Sequence, residues 1–521
     1  RASGLYSVSR FCVFAVTIAP RFTCSVPSSS TRMELPTYLN HLKACLTTEN
    51  GTRLADLLHI KGSNSQKLLD TARQYKPAIL ERECHDRIPI SPFDDVALRH
   101  ILVLVEVGRN DYSQAYTEQN ALVQSFLRAF PNLTRWCLPV LYTIHNDLWL
   151  LAVEADEQLK SRGEKGGRLE NAARNINKAF TACITDRGPL VTSRRWGTYY
   201  IINLLFKTYF RLKQQNLCKN VLRAVRASAD LPGVEQFPKA HRVTYRYYLG
   251  VLNFLEEDYR KVGRKFKEDM KQMGKRDRGK RKLRMWRRAG EGRKWERKEK
   301  NGFKLFDESL RTYGISYGFI FTLKPQAEVE LTLAFKECHK SAKKNKRHIL
   351  NFLLPTLLVR GVLPSRALLD RHPRLRDLYA PLVAAMRAGN VLEFDRGLVR
   401  GERALIARGT YLTVENARVI VLRMLFRKVL GAITEPYPLD TFNCIRSFNI
   451  MDRATKLPIA VFQQALAFVG VEADLAEVEC MLANMIYKGF IKGYISHEKM
   501  YLVLSAKDAF PSFVDVYATN V

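Results

Sequence analysis

The chain has 521 residues, 46% of them apolar and 10% aromatic, so it can bury a large core and is not a disordered tail. Eighty-four Lys and Arg against 51 Asp and Glu leave a net charge of +33, which predicts attraction to polyanions: nucleic acid first, acidic protein surfaces or anionic membranes next. No apolar run reaches about 18 residues, which argues against a membrane span, and the ten cysteines form no CxxC pair, which excludes a zinc ribbon or a thioredoxin-like motif.

Residues 1 to 32 carry four Arg, no acid and a short apolar segment. Their composition resembles a targeting peptide, with translated upstream sequence as the favoured reading, and they are set aside from the fold. At Met33 the texture changes to the amphipathic MELPTYLNHLKACL. From there to about residue 430 apolar residues recur at three- and four-residue spacing, in blocks such as VALRHILVLVEVGRNDYSQAYTEQNALVQSFLRAF and WGTYYIINLLFKTYFRLKQQNLCKNVLRAV. Each block is long enough for two helices and is broken by a short polar turn, which predicts stacked helical hairpins.

A tetratricopeptide-like hairpin places Leu-Gly on its first helix and small residues on its second, where the two helices approach closely. Leu249 and Gly250 fit the first helix, but Val262 stands where the small residue should be. If residues 262 to 326 are passed over, Ala327, Leu331 and Ala334 fall into register. The junction then recreates the Asp-Tyr-x-x-Ala turn found intact at Asp111, Tyr112 and Ala115. The expectation is one hairpin whose arms are separated in sequence by an insertion.

Residues 260 to 300 hold 20 Lys or Arg against 6 Asp or Glu, a composition that cannot bury enough surface to fold and predicts a disordered excursion. Three origins stay open: a retained intron or gene-model error, which is favoured, a lineage-specific basic loop, or an arginine-rich RNA-binding arm.

After about residue 430 a Pro-containing linker leads to two short amphipathic helices and two strands joined by a turn near Ser496 to Lys499. Helix, helix, strand, turn, strand over 458 to 505 predicts a winged helix, within a module taken as 431 to 521. The fold class is therefore all-α: stacked TPR-like hairpins over 33 to 430 followed by a C-terminal winged helix.

On such a module the second helix, Asp474 to Lys488, is the usual groove reader. Its first turns present Asp474, Glu477 and Glu479, which suit a helix N-terminus and repel phosphates, so base-specific reading is not expected. Lys488, Lys492 and Lys499, with Arg453 and Lys456 just before the module, fit sequence-tolerant backbone contact instead, or else ordinary solvated charge. In the preceding helix, VENARVIVLRMLFRKVLG, Arg423 and Arg427 stand four apart with Lys428 beside them, spaced to grip adjacent phosphates.

Other motifs favour structural roles. The cations of HKSAKKNKRH, Lys343, Lys344, Lys346 and Arg347, are read as closing a helix, where they suit the macrodipole. Trp196 in SRRWGTYY is read as a packing anchor before it is read as a base-stacking platform. Neighbouring Cys84-His85 and Cys338-His339 point about 100° apart on a helix and do not make a nucleophile and base. GEKGGR at 163 to 168 lacks the strand and the Lys-Ser/Thr end of a phosphate loop. No convergent acid, base, nucleophile or metal set is found, and no cofactor is implied.

Helical repeats running into a terminal winged helix resemble the PCI-domain superfamily. Within it, MELPTYLNHL, SRRWGTYYIINLLFKTYFRL, KAHRVTYRYYLGVLNFLEEDY, LTLAFKECHKSAKKNKRHILNFLLPTLLVRG and MIYKGFIKGYISHEKMYLVLS are similar to the PCI subunits of the TREX-2 messenger-RNA export complex. The resemblance implies a non-catalytic nucleic-acid-binding adaptor, in the nucleus at the nuclear pore with a second pool in the cytoplasm. Its implied partners are a larger helical scaffold protein of the same superfamily, a small acidic peptide-like subunit, and RNA or DNA with no preference fixed, with no membrane. The alternative is a purely architectural PCI subunit of proteasome-lid or signalosome type without direct nucleic-acid binding.

Overall fold

The computed structural model describes residues 33–256, 326–434, 455–513 and 515–516. The N-terminal segment, Arg453 and the insertion as far as residue 325 lie outside the described residues. Two compact units are present, one reaching to Tyr248 with Ala334–Asn345, the other comprising Leu249–Leu333 and the chain from Lys346 onward.

In the first unit, α1 (Leu35–Thr47) opens on a proline whose fixed φ suits the first turn. The helices α2 (Gly51–Leu57), α3 (Ser63–Ala72) and α4 (Pro77–Arg87) follow. Then come the long antiparallel pairs: α5 (Phe93–Gly108) with α6 (Tyr112–Ala129), α7 (Leu138–Ser161) with α8 (Arg168–Ile184), and α9 (Thr198–Arg211) with α10 (Asn216–Ala227). Each helix from α5 to α10 packs on the next in sequence, which is the expected hairpin stack. The Asp-Tyr-x-x-Ala turn shows why the pattern recurs. Asp111 caps α6 by accepting from the Gln114 amide at 3.1 Å, and Ala115 is fully buried where a larger side chain would hold the helices apart. GEKGGR is the turn between α7 and α8, with Asp156 accepting from the amides of Gly167, Arg168 and Leu169.

Helix α11 covers 239–256 and α12 covers Gln326–Glu337. Ala327, Leu331 and Ala334 are all buried, and Gly250 lies so close to Leu331 that a Cβ there would sit 2.6 Å from its Cγ. The two arms therefore pair as expected. Nearby, Phe254 meets Phe352 edge to face with centroids 5.5 Å apart, bringing α13 (Lys343–Val359) onto the same core. Here one expectation fails: α12 ends at Glu337, and Lys343 and Lys344 open α13 instead of closing a helix. The cations sit at the positive end of the macrodipole, so that explanation of them falls.

The second unit continues through α14 (Arg366–Asp370), α15 (Pro373–Ala388), α16 (Val391–Arg408), α17 (Tyr411–Asn416) and α18 (Arg418–Thr434). Gly401 on α16 admits Leu378 of α15, whose Cδ1 lies 2.6 Å from where a Cβ would stand. The winged helix follows as β1 (Lys456–Pro458), α19 (Ile459–Phe468), α20 (Leu475–Tyr487), β2 (Gly493–Ser496) and β3 (Tyr501–Leu504). Its antiparallel sheet has the order β1-β3-β2. Strand β1 adds to the expected pattern: three residues are too few to show alternation in sequence.

Candidate interface on the winged helix

Leu457, Leu502 and Leu504 point from the sheet into a core closed by Phe462, Leu466, Val478, Leu482 and Met485 of α19 and α20. Phe462 meets Phe426 of α18 at 5.1 Å, edge to face, so α18 is packed onto the winged helix. The same helix contributes Arg423, which is 1% exposed. Its Nε donates to the Phe490 carbonyl at 3.2 Å, Nη2 donates to the Pro511 carbonyl, and the guanidinium lies 4.1 Å from the Phe513 ring centre. The carbonyls and the ring replace the water the cation has lost.

Arg423 is therefore not a phosphate ligand, and the expected Arg423 and Arg427 grip does not form. Arg427 is exposed, and Lys428 donates to the Ala388 carbonyl at 3.0 Å. Of the other sequence-predicted residues, Lys492 pairs with Asp508 at 2.9 Å, while Lys488 sits exposed at the C-terminus of α20 and Lys499 in the β2–β3 turn. Lys456 lies on β1 in register with Val503 of β3 and, beyond it, Tyr494 of β2. The described residues of the set thus lie on different elements: α18, the end of α20, the segment before β2, the β2–β3 turn and β1.

Register alternation gives the sheet a second, outward face. Tyr494 and Tyr501 lie on it, 63% and 39% exposed, with Lys456 beside them. Neither tyrosine was singled out in the sequence, although the alternation of GYIS and YLVL carries the signal.

Helix α20 has an N-terminal capping box, Asp474 and Glu477 bonding each other's backbone amides. Glu479 accepts from His497 in the β2–β3 turn at 2.8 Å. Two of the three acids thus hold the helix start and one holds the turn. No Lys, Arg or His occurs between 474 and 487. Beyond its first turn, where Leu475 and Glu477 are exposed, one face of the helix exposes Ala476, Cys480, Ala483, Asn484 and Tyr487, the last 89% exposed, with Phe468 of α19 77% exposed. A nucleic-acid groove reader presents cations and amides to phosphates; this face presents small uncharged residues and an aromatic ring.

The remaining motifs are structural. Arg194 pairs with Asp186 at 2.8 Å, and Arg195 donates to the carbonyls of Asp230 and Gly188. Trp196 donates to the Leu190 carbonyl and packs on Phe237. Burial pushes the Cys84 thiol up to about 12, while His85 pairs with Asp94 and His339 faces Ser341. Among the described residues no group of three His, Cys, Asp or Glu is placed to hold a metal, and no helix is long and apolar enough to cross a membrane.

The PCI domain family model matches residues 403–506, which run from the end of α16 through β3. Among similar proteins, the Schizosaccharomyces pombe protein CSN12 homolog is 33% identical over 500 residues, covering 92% of this chain and 98% of the relative. The Mycosarcoma maydis CSN12 homolog is 34% identical over 420 residues, 77% of this chain and 75% of the relative. PCI domain-containing protein 2 of Xenopus laevis is 28% identical over 483 residues, 91% and 96% of the two chains.

Proposed function

Because this chain belongs to the family of PCI-domain proteins that includes the CSN12 homologs and PCI domain-containing protein 2, we propose that it is a non-catalytic scaffold subunit of a signalosome-type assembly. Its winged helix mates with another PCI subunit. The carrying observation is the exposed face of α20, with Ala476, Cys480, Ala483 and Tyr487 and no cation along the helix. Small residues let a partner backbone approach, and an exposed tyrosine supplies the aromatic anchor that protein interfaces favour. The CSN12 designation of the relatives supports the same reading.

The test is native size fractionation of cell extract with A483E/Y487E in place of the wild-type chain. Both side chains are exposed, so the variant is expected to melt like wild type yet leave the high-molecular-weight fraction. Retention there with unchanged partners sinks the proposal.

A second reading, an adaptor in messenger-RNA export whose winged helix touches RNA, draws on the outward sheet face of Lys456, Tyr494 and Tyr501. Aromatic rings beside a lysine offer base stacking with phosphate contact. The larger scaffold partner, the acidic subunit and the nuclear location belong to this reading.

A further inference from the structure

Between Arg187 and Ala229 the chain carries nine Lys or Arg and no Asp or Glu. Four of the nine make contacts within the hairpin stack or its loops, and a fifth lies exposed in a connection. Arg194 and Arg195 hold the loop before α9, Lys207 lies buried with its Nζ 3.4 Å from the Trp149 ring centre, Arg211 pairs with Glu157, and Arg187 is in the α8–α9 connection. The other four are Lys213, Lys219, Arg223 and Arg226, all exposed.

Their placement is ordered. Helix α10 buries Cys218, Val221 and Leu222 against the stack. On its outer side Lys219, Arg223 and Arg226 recur at spacings of four and three, one stripe about 10 Å long. Arg223 donates to the Asn220 side-chain oxygen at 2.7 Å. Like charges at these spacings repel.

Lys213 precedes this helix. It occupies the left-handed position of the α9–α10 turn at φ +59°, where the α5–α6 and α7–α8 turns use Asn110 and Gly163 and the α1–α2 turn uses Glu49. A lysine is an unfavoured occupant of that backbone region, and its side chain is exposed.

We infer that the outer face of α10, with Lys213, binds the phosphate backbone of a nucleic-acid strand, at a site on the hairpin stack separate from the winged helix. The neighbours of the stripe are Asn216, Asn220 and Ala227. Leu217, flanking it, is 39% exposed, but the stripe itself carries no aromatic or large apolar side chain and suits sequence-independent phosphate contact by Lys, Arg and Asn.

The test uses the full chain and a fluorescein-labelled 20-nucleotide oligouridylate, with anisotropy read across a salt series. A polyglutamate peptide serves as the second probe. The triple variant K219Q/R223Q/R226Q is expected to weaken oligouridylate binding about tenfold and to reduce the salt slope by about 2, since each lost phosphate contact contributes about 0.7. The basic residues of 260 to 300 are common to both proteins and leave this difference intact. K213G is expected to raise the melting temperature while weakening binding, a combination that a purely structural lysine does not give. An unchanged slope in the triple variant overturns the inference. So does loss of polyglutamate binding with oligouridylate binding retained, which assigns the stripe to an acidic protein. A483E/Y487E is expected to bind oligouridylate as wild type does, so failure of this site and failure of the scaffold proposal are read separately.

Discussion

Gly250 lies against Leu331 as one helix crossing of a single hairpin, although residues 257–325 stand between them in sequence. The contact requires the absence of a side chain: a Cβ on Gly250 would stand 2.6 Å from Leu331 Cγ. G250V is therefore expected to destabilise the chain by about 1–3 kcal/mol through overpacking. L331A is expected to cost about 2–5 kcal/mol through the cavity it leaves. Combined, the two should cost less than the sum, because the valine occupies space the leucine vacates. Urea denaturation of the three variants checks this, and strict additivity would show that the two side chains do not share the site.

Arg423 gives the opposite kind of lesson, a charge spent on structure. R423A leaves the Phe490 and Pro511 carbonyls without the donor they share and opens a void beneath Phe513. The expected cost is about 3–5 kcal/mol, the range for breaking a buried charge's set of contacts. R427A, one turn further along and exposed, is expected to stay within about 0.5 kcal/mol of wild type. Thermal melts separate the two outcomes, and equal effects would contradict the burial of Arg423.

These residues mark how far sequence reading reached. Gly250, Ala327 and Leu331 were legible because small, large and small residues at fixed spacing have one common cause, the distance between two helix axes. Arg423 was misread because its cover comes from Phe490, Pro511 and Phe513, far along the chain. A local hint did exist: Val421, Leu422, Met424, Leu425 and Phe426 surround it, and a helix apolar on every side is buried. The start of α13 was missed for a different reason: Lys343 and Lys344 continue a polar run, and the capping-type residue before them, Ser341, stands two places ahead of the helix and bonds His339. The outward tyrosines of the sheet were legible in the alternation of GYIS and YLVL and were passed over, whereas Lys456 joins their face only through β1, which pairs with β3.

The pH dependence of stability should be set by buried histidines of the hairpin stack. Burial lowers His145 to about 4 and His100 to about 3, below the ordinary value of about 6.5. Below about pH 6.5 the unfolded chain takes up protons that the folded chain refuses, so stability is full above that pH and falls as pH drops. At pH 5 each such histidine costs about 2 kcal/mol relative to pH 7. H145Q should flatten the loss between pH 7 and pH 5 by about that amount, whatever it costs at pH 7 through packing. His59 works the other way. Its hydrogen bond with Asp147 raises it, so its contribution is present below the unfolded value and lost as pH rises through the folded one. H59Q should therefore steepen the acid loss. Urea midpoints at pH 5, 6 and 7 give both slopes, and parallel curves for all three proteins would rule this account out.

The outward sheet face decides between the two readings of the winged helix. If Tyr494 and Tyr501 stack on bases, Y494A and Y501A should each weaken binding of an oligouridylate by about 1–3 kcal/mol, the usual value of one aromatic platform. K456Q should lower the salt slope by about 0.7, as one phosphate contact does. If the winged helix is a subunit interface, all three variants should bind oligouridylate as wild type does. Because both rings are already solvent-exposed, little core packing is lost on truncation, so a change in affinity would not be a folding effect. Anisotropy titrations of these variants in the background of K219Q/R223Q/R226Q remove the α10 stripe from the measurement. In that background, unchanged affinity for Y494A and Y501A leaves the scaffold role as the reading for the winged helix, and a loss in both assigns RNA contact to the sheet.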